Sequence, residues 1–318
     1  MPQLPLLDLE PQADDVVGEC TAAMRASPRQ LPCKFFYDRR GSQLFDRICE
    51  LPEYYPTRTE LAILHEHAPA MAARLGPRCL LIELGSGSSV KVRKLLDELV
   101  DPVGYMPIDI SREHLLDAAG QIADAYPELD VQPICADYAQ PMTLPEPTQP
   151  PQRRVAYFPG STIGNLHPDE ARRFLARVAG MVQQGGGLLI GVDLRKEPAV
   201  LEAAYNDAAG VTAAFNLNLL HRINREVGAG IDVDAFEHQA VWNGEASRVE
   251  MHLVARSDQH VALNGDTFHI TVGESIRTEC SYKHTLASFA SLASEAFEVV
   301  DVWTDARQWF SVQYLEAK

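Results

Sequence analysis

The sequence predicts an α/β protein, a doubly wound and mainly parallel sheet interrupted by an inserted α+β unit. Three observations predict it. Between residues 60 and 196, short apolar runs alternate with helical segments, the pattern of a parallel sheet covered on both faces. From 197 to 283 the alternation stops, and period-two segments such as 248–254 replace it. From 284 to 318 a helix and two strands return. The simplest reading is one domain made of 60–196 and 284–318, with 197–283 inserted. The insertion then pairs with the N-terminal segment 1–59 to make a second unit.

Segment 79–84 reads as a buried strand and 105–110 as a second, although Pro107 argues against a central strand there. The third, fourth and fifth strands fall at 131–135, 154–158 and 187–194. Segment 168–175 begins with Pro168, Asp169 and Glu170, the start chemistry of a helix. Residues 203–226 are helix-rich, 284–296 is the last helix, and 297–303 and 309–315 are the last strands. The first 59 residues read as helices and loops ending in Glu53-Tyr54-Tyr55-Pro56, and the proline-rich stretch 141–151 reads as a surface loop. There is no internal repeat.

Composition narrows the class. The chain of 318 residues has apolar content ample for a core and a net charge of −16, which argues against nucleic acid and anionic membranes as partners. Its six cysteines, Cys20, Cys33, Cys49, Cys79, Cys135 and Cys280, show no CxxC pair and do not form a disulfide framework. His65 and His67 flank Glu66 without a third ligand, so a helix surface is the plainer reading and no metal is expected. The N-terminus lacks the basic and apolar regions of a signal peptide, and no run reaches membrane-span length. A cytoplasmic monomer acting on a small molecule is expected.

Chemistry concentrates at the strand ends. Glu83-Leu84-Gly85-Ser86-Gly87-Ser88-Ser89 follows the first strand and precedes a helix carrying Lys91 and Lys94. Glycines at such a turn let a ligand approach the backbone, yet the third glycine of GxGxxG is missing. Asp109 ends the second strand, where an acid can hold ribose hydroxyls. Asp137-Tyr138 follows the third strand, where an acid and an aromatic can hold an adenine; a simple turn or cap role for Asp137 is the alternative. Adenosine fits these features, and the incomplete glycine pattern favours S-adenosylmethionine over NAD. Phe158-Pro159-Gly160-Ser161-Thr162-Ile163-Gly164-Asn165-Leu166 follows the fourth strand, where a substrate would meet the cofactor. Asn165 can donate to a carboxylate or accept from an amine, or it can simply start the next helix.

The stretches 34–46 (KFFYDRRGSQLFD), 51–60 (LPEYYPTRTE), 82–91 (IELGSGSSVK), 158–166 (FPGSTIGNL), 205–220 (YNDAAGVTAAFNLNLL) and 277–284 (RTECSYKH) make the chain resemble the histidine Nα-methyltransferases of ergothioneine biosynthesis. The wider family includes a fungal methyltransferase of prenylated tryptophan. The resemblance covers nearly the whole chain. It implies a Rossmann-like class I S-adenosylmethionine-dependent methyltransferase fold with an inserted second domain, the substrate lying between the two. It implies that Gly85, Lys91, Asp109, Asp137 and Tyr138 contact S-adenosylmethionine, and that Asn165 and Tyr205 hold the substrate carboxylate. Tyr37, Phe45 and the Gly160 backbone would surround the amine. Tyr54, Glu279 and Ser281 would recognise the imidazole, with Met251 shaping that pocket. Tyr138 stands where phenylalanine is common in the family, and should still stack. Strand alternation turns Cys280 and Tyr282 away from the face shared by Glu279 and Ser281. The expected reaction is three methyl transfers to the α-amino nitrogen of L-histidine, giving hercynine. A methyltransferase of another amino acid such as a tryptophan derivative, and a non-catalytic binder of an adenosyl ligand, are the alternatives.

Overall fold

The computed structural model describes residues 4–9, 15–87 and 89–318. In chain order its helices are α1 (Val16–Arg25), α2 (Arg39–Glu50), α3 (Tyr55–Leu75), α4 (Val90–Leu96), α5 (Arg112–Ala125), α6 (Pro168–Val182), α7 (Pro198–Tyr205), α8 (Val211–Val227) and α9 (Leu286–Ala293). Its strands are β1 (Leu7–Asp8), β2 (Cys79–Leu84), β3 (Gly104–Asp109), β4 (Ile134–Cys135), β5 (Arg153–Phe158), β6 (Gly187–Asp193), β7 (Phe236–Asn243), β8 (Arg248–Ala255), β9 (Gln259–Leu263), β10 (Asp266–Ile270), β11 (Ser275–Tyr282), β12 (Phe297–Thr304) and β13 (Phe310–Ala317).

The chain divides into two compact units. The first comprises Met1–Ala13, Thr59–Leu194 and His284–Lys318, the second Asp14–Arg58 and Arg195–Lys283. In the first unit an eight-stranded sheet has the order β1-β4-β3-β2-β5-β6-β13-β12. Pairings from β1 through β6 are parallel, and β13 runs antiparallel to both β6 and β12. Alternate residues of one strand enter opposite cores. Ile82, Ile108, Phe158 and Ile190 pack with Phe174 of α6 and Phe289 of α9. Leu81, Tyr105, Tyr157 and Leu189 pack with Leu64 of α3, Leu95 of α4 and Ile122 of α5. This double cover is why the strands read as continuous apolar runs.

The N-terminal segment departs from the sequence reading, which gave all of 1–59 to the second unit. Leu7 and Asp8 pair with Ile134 and Cys135 and make an edge strand of the large sheet. A two-residue strand carries no periodicity, so no pattern announced it. The strand containing Pro107 forms despite its proline. Odd residues of β3 bond toward β4, as Tyr105 N–H to Asp130 and Ala136 N–H to the Asp109 carbonyl show. Ladder pairing with β4 begins only at Ile108, so the donor that Pro107 lacks falls before the ladder starts. The expected strand at 131–135 is correspondingly short, with only a bridge at Val131. The helix-rich stretch is two helices. Between them the Asp207 carboxylate accepts from the amides of Val211 and Thr212 and starts α8.

The second unit contains the antiparallel sheet β11-β8-β7 and the hairpin β10-β9 with α1, α2, α7 and α8. All six cysteines are free. No described helix is long and apolar enough to cross a membrane.

Candidate active site

Parallel order reverses between β2 and β5, and the carboxyl ends of these strands form the natural ligand edge of the first unit. The Gly85 and Ser86 amides both donate to the Ile108 carbonyl at 2.9 and 3.1 Å, and the Ala136 amide donates to the Asp109 carbonyl at 3.0 Å. These bonds lace together the ends of β2, β3 and β4. Gly85 has φ +73°, and a Cβ there would stand 3.4 Å from the Tyr138 ring. The glycine therefore keeps bare backbone facing an aromatic ring. Tyr138 is braced edge-on by Phe158 and Phe174, with centroids 5.6 and 6.1 Å away. Asp109 is half-buried, burial raises its carboxyl pKa, and one of its oxygens accepts from the Ser111 amide at 2.8 Å. The Asp137 carboxylate accepts from the Ala139 amide at 2.8 Å, so the turn role is real and occupies one of its two oxygens. A bare glycine turn, a braced aromatic face and two half-buried acids fit an adenosine.

Beneath this edge lies a charged cluster that sequence reasoning missed. Glu60 of α3 is fully buried and pairs with Lys91 of α4 at 2.5 Å. Both of its oxygens accept from the Gly160 amide at 3.0 Å. On β6, Gly191 leaves the room, since a Cβ there would stand 2.2 Å from the Glu60 carboxylate. Lys91 is therefore tied to Glu60 at the base of the turn. Glu83, also buried, accepts from Ser86 at 3.0 Å and from the Tyr105 hydroxyl, and burial pushes it up to about 7.

The loop after β5 turns through two consecutive left-handed residues, Gly160 at φ +77° and Ser161 at φ +57°. The Ser161 hydroxyl accepts from the Asp193 amide at 2.9 Å, which holds that conformation in place. Asn165 ends the short 3-10 turn Thr162–Asn165 and lies outside α6. It is half-buried, and its amide makes no hydrogen bond among the described residues.

In the second unit the remaining candidates assemble. Asp38 caps α2 through the Gly41 amide at 2.7 Å, and a Cβ at Gly41 would strike the Phe36 carbonyl at 1.7 Å. This turn sets Tyr37 and Phe45 side by side, ring centroids 5.8 Å apart. Tyr37 meets Phe215 of α8 at 5.9 Å, Phe45 meets Tyr54 at 6.2 Å, and Tyr54 meets Tyr205 at 6.1 Å. Tyr37 remains 43% exposed while Tyr54 is buried at 8%. Five aromatic rings from separate segments thus form one continuous wall.

At its far end stand polar groups of β11. A bulge between Arg277 and Glu279 sets Glu279 opposite the buried Met251 of β8. Burial pushes the Glu279 carboxyl up to about 7 against the opposing pull of Lys283, and it makes no hydrogen bond among the described residues. It is not the surface salt bridge that is the commonplace role of a strand glutamate. Ser281 Oγ accepts from the Tyr205 hydroxyl at 2.8 Å and from Lys283 Nζ at 2.7 Å. Cys280 and Tyr282 lie on the opposite face, where the Tyr282 hydroxyl accepts from Arg248 at 2.6 Å.

Lys283, 2% exposed, and Phe215 were missed by the sequence reading. Lys283 continues the period-two series of Glu279 and Ser281, a signal that could have found it. Phe215 reads as ordinary helix core, and Glu60 as one acid among several in a helix. His67 merely approaches Glu66 at 3.8 Å, and no cluster able to hold a metal occurs among the described residues.

A family model described as histidine-specific methyltransferase, SAM-dependent, matches residues 16–317. The chain is 41% identical over 300 residues to histidine N-alpha-methyltransferase of Mycolicibacterium smegmatis, covering 92% of each chain. It is 41% identical over 294 residues to histidine N-alpha-methyltransferase of Mycobacterium tuberculosis, covering 89% of each. With ergothioneine biosynthesis protein 1 of Neurospora crassa it shares 32% identity over 293 residues, which is 89% of this chain and 32% of that one.

Proposed function

The chain belongs to the family of histidine-specific, S-adenosylmethionine-dependent methyltransferases, and we propose that it methylates the α-amino nitrogen of L-histidine three times to give hercynine, the first step of ergothioneine biosynthesis. The observation that carries this reading is the second unit's aromatic wall ending in Glu279 and Ser281. An apolar enclosure suits a nitrogen that becomes a quaternary cation, since aromatic faces attract such a cation. The carboxylate and hydroxyl suit the two ring nitrogens of an imidazole, and an apolar ring would leave them unpaired.

Bound S-adenosylmethionine supplies an electrophilic methyl on a sulfonium. Gly85, Asp109, Asp137 and Tyr138 would hold its adenosine. Lys91, tied to Glu60, would act there chiefly by shaping the turn. Asn165 and Tyr205 would hold the substrate carboxylate, and Tyr54, Glu279, Ser281 and Met251 its ring. The Gly160 N–H is engaged by Glu60, so the Gly160 carbonyl is the group left to accept from the amine. Tyr37 and Phe45 would flank the nitrogen.

A free α-amino group has a pKa of about 7.7–8.0 or above and is largely protonated at neutral pH. The nitrogen must shed a proton before each transfer, three in all from the ammonium form. Its lone pair then forms the N–C bond as the methyl–sulfur bond breaks and that pair stays on sulfur. Alignment of the reactants, rather than a strong base, is the main source of rate. After the third transfer no lone pair remains and the reaction ends.

The test is mass spectrometry of the purified protein with S-adenosylmethionine and an equimolar mixture of the twenty amino acids. Histidine gaining three methyls is the expected result. Methylation of tryptophan instead would keep the cofactor reading and sink the imidazole pocket. No methylated product would point to an acceptor outside these twenty or to a binding role.

A further inference from the structure

His238 of β7 has no part in the roles assigned so far, yet both nitrogens of its half-buried ring are engaged inside the second unit. Its neighbours decide which nitrogen carries the proton. Asn216 of α8 and Thr278 of β11 are fully buried. The Asn216 amide donates from Nδ2 to the His252 carbonyl at 3.0 Å, and its Oδ1 accepts from the Thr278 hydroxyl at 2.7 Å. A carbonyl only accepts, so the amide cannot be turned round without setting oxygen against oxygen. The second hydrogen of Nδ2 therefore meets His238 Nδ1, 2.9 Å away, and Nδ1 is the bare nitrogen. On the other side of the ring Nε2 stands 2.8 Å from the Tyr205 carbonyl, which again only accepts. Nε2 therefore carries the proton and donates it. Both sides of the ring demand the same neutral tautomer. An imidazolium would set a hydrogen on Nδ1 against the Asn216 amide. Burial lowers the His238 pKa and favours the neutral form; the Tyr205 carbonyl and Asp207 pull the other way, and His252 adds to the lowering.

Tyr205 is the last residue of α7, and the last carbonyls of a helix have no donor within it. The His238 N–H holds this carbonyl and so ties the end of α7 to β7. The Tyr205 ring stands edge-on to Tyr54 at 6.1 Å, and its hydroxyl lies 2.8 Å from Ser281 Oγ and 2.9 Å from Lys283 Nζ. We propose that His238, as its Nε2–H tautomer, is a positioning residue that holds Tyr205 where the substrate carboxylate is bound. The inference rests on the acceptor reading above, in which Tyr205 takes that carboxylate, and deepens it. The tether acts on the Tyr205 backbone, so it does not depend on which partner the hydroxyl serves. A side chain held in place beforehand need not be ordered when the ligand arrives. The contact is made to the carboxylate and not to the reacting nitrogen, so its loss weakens binding of substrate and transition state alike and shows in KM more than in kcat.

Two substitutions divide the ring's two bonds. His238→Asn keeps an acceptor near the position of Nδ1 and cannot reach the Tyr205 carbonyl. His238→Gln keeps a donor near the position of Nε2 and gives up the Asn216 bond. The experiment is steady-state kinetics of the full-length protein and both variants, with histidine varied at saturating S-adenosylmethionine, beside their thermal unfolding. Each variant loses one hydrogen bond, so both should melt a few degrees below wild type and by similar amounts. His238→Asn is expected to raise the histidine KM about tenfold with a smaller change in kcat, the equivalent of one weakened hydrogen bond, while His238→Gln should stay within about threefold of wild type. Equal KM values in the two variants, or a larger rise in His238→Gln, would overturn the proposal. Should His238→Asn fail to fold, a tenfold rise in His238→Gln alone overturns it, since that variant keeps the donor. The tautomer is read separately from proton–nitrogen correlation spectra of the labelled histidine rings in the wild type, His238 being the signal lost in His238→Gln. A proton on Nε2 and a bare Nδ1 are expected, and a proton on Nδ1 would sink the idea. A wild type that binds S-adenosylmethionine but methylates no histidine fails the acceptor reading and this proposal with it. A wild type that methylates histidine, with both variants alike, fails this proposal alone.

Discussion

In the first unit the buried carboxylates Glu60 and Glu83 are answered by the protein itself, whereas in the second unit the half-buried Glu279 has no hydrogen bond among the described residues. Glu60 has a cationic partner and a backbone donor for its two oxygens. Glu83 has two hydroxyls. Glu279 has a nearby charge but no hydrogen-bond donor among the described residues. The satisfied pair braces backbone that a cofactor then meets. On the proposed reading the unsatisfied acid would itself be a recognition group, its partial burial a cost carried until a substrate N–H arrives. Fully buried acids thus brace the first unit, whereas on the proposed reading the half-buried Glu279 would serve specificity in the second.

That contrast breaks if Glu60 proves dispensable. Glu60→Gln keeps an oxygen for the Gly160 amide but leaves Lys91 without its charge partner. Loss of one member of a buried pair costs about 3–5 kcal/mol, and urea unfolding should show a drop of that order. A change under about 0.5 kcal/mol would make the cluster ornamental. The cofactor edge itself is sharpened by Asp109→Ala. Two hydrogen bonds to a charged oxygen pair are worth about 1.5 kcal/mol or more each, so S-adenosylmethionine should bind about 100-fold more weakly by calorimetry. An unaltered dissociation constant would remove Asp109 from the ribose role.

The same contrast explains what the sequence could disclose. The candidate cofactor edge could be named from sequence because a parallel sheet puts ligand-facing residues at strand ends, and Gly85, Asp109 and Asp137 each follow an apolar run. The large sheet was legible for the same reason, apart from Leu7–Asp8, too short to carry a pattern. The proposed acceptor site has no such rule. Tyr37, Phe45, Tyr54, Tyr205 and Phe215 come from separate turns and helices, and each alone reads as an ordinary core aromatic. Resemblance, not periodicity, pointed to all of them but Phe215. Glu60 was invisible because its meaning depends on Lys91, Gly160 and Gly191, which converge only in the fold. Lys283 could have been read from its two-residue spacing after Ser281, but only by accepting that a lysine can be buried.

The smallest expected effect is the most discriminating, because it should have the opposite sign to Glu60→Gln. The Glu279 carboxyl is pushed up to about 7 in the folded protein, by burial, against the opposing pull of Lys283. An exposed glutamate in the unfolded chain titrates near 4.3. The unfolded state therefore releases this proton first. Stability contributed by the group is greatest below about pH 4, falls as pH rises, and is fully lost once pH passes about 7. Glu279→Gln removes that titration. In the absence of substrate it should raise Tm by a few degrees at pH 8, with the gain fading toward pH 5. The same variant should use histidine less well, since a neutral amide accepts the ring N–H more weakly than a carboxylate. A lower Tm at pH 8 would mean that Glu279, like Glu60, is already satisfied within the fold, and the contrast between the two units would dissolve.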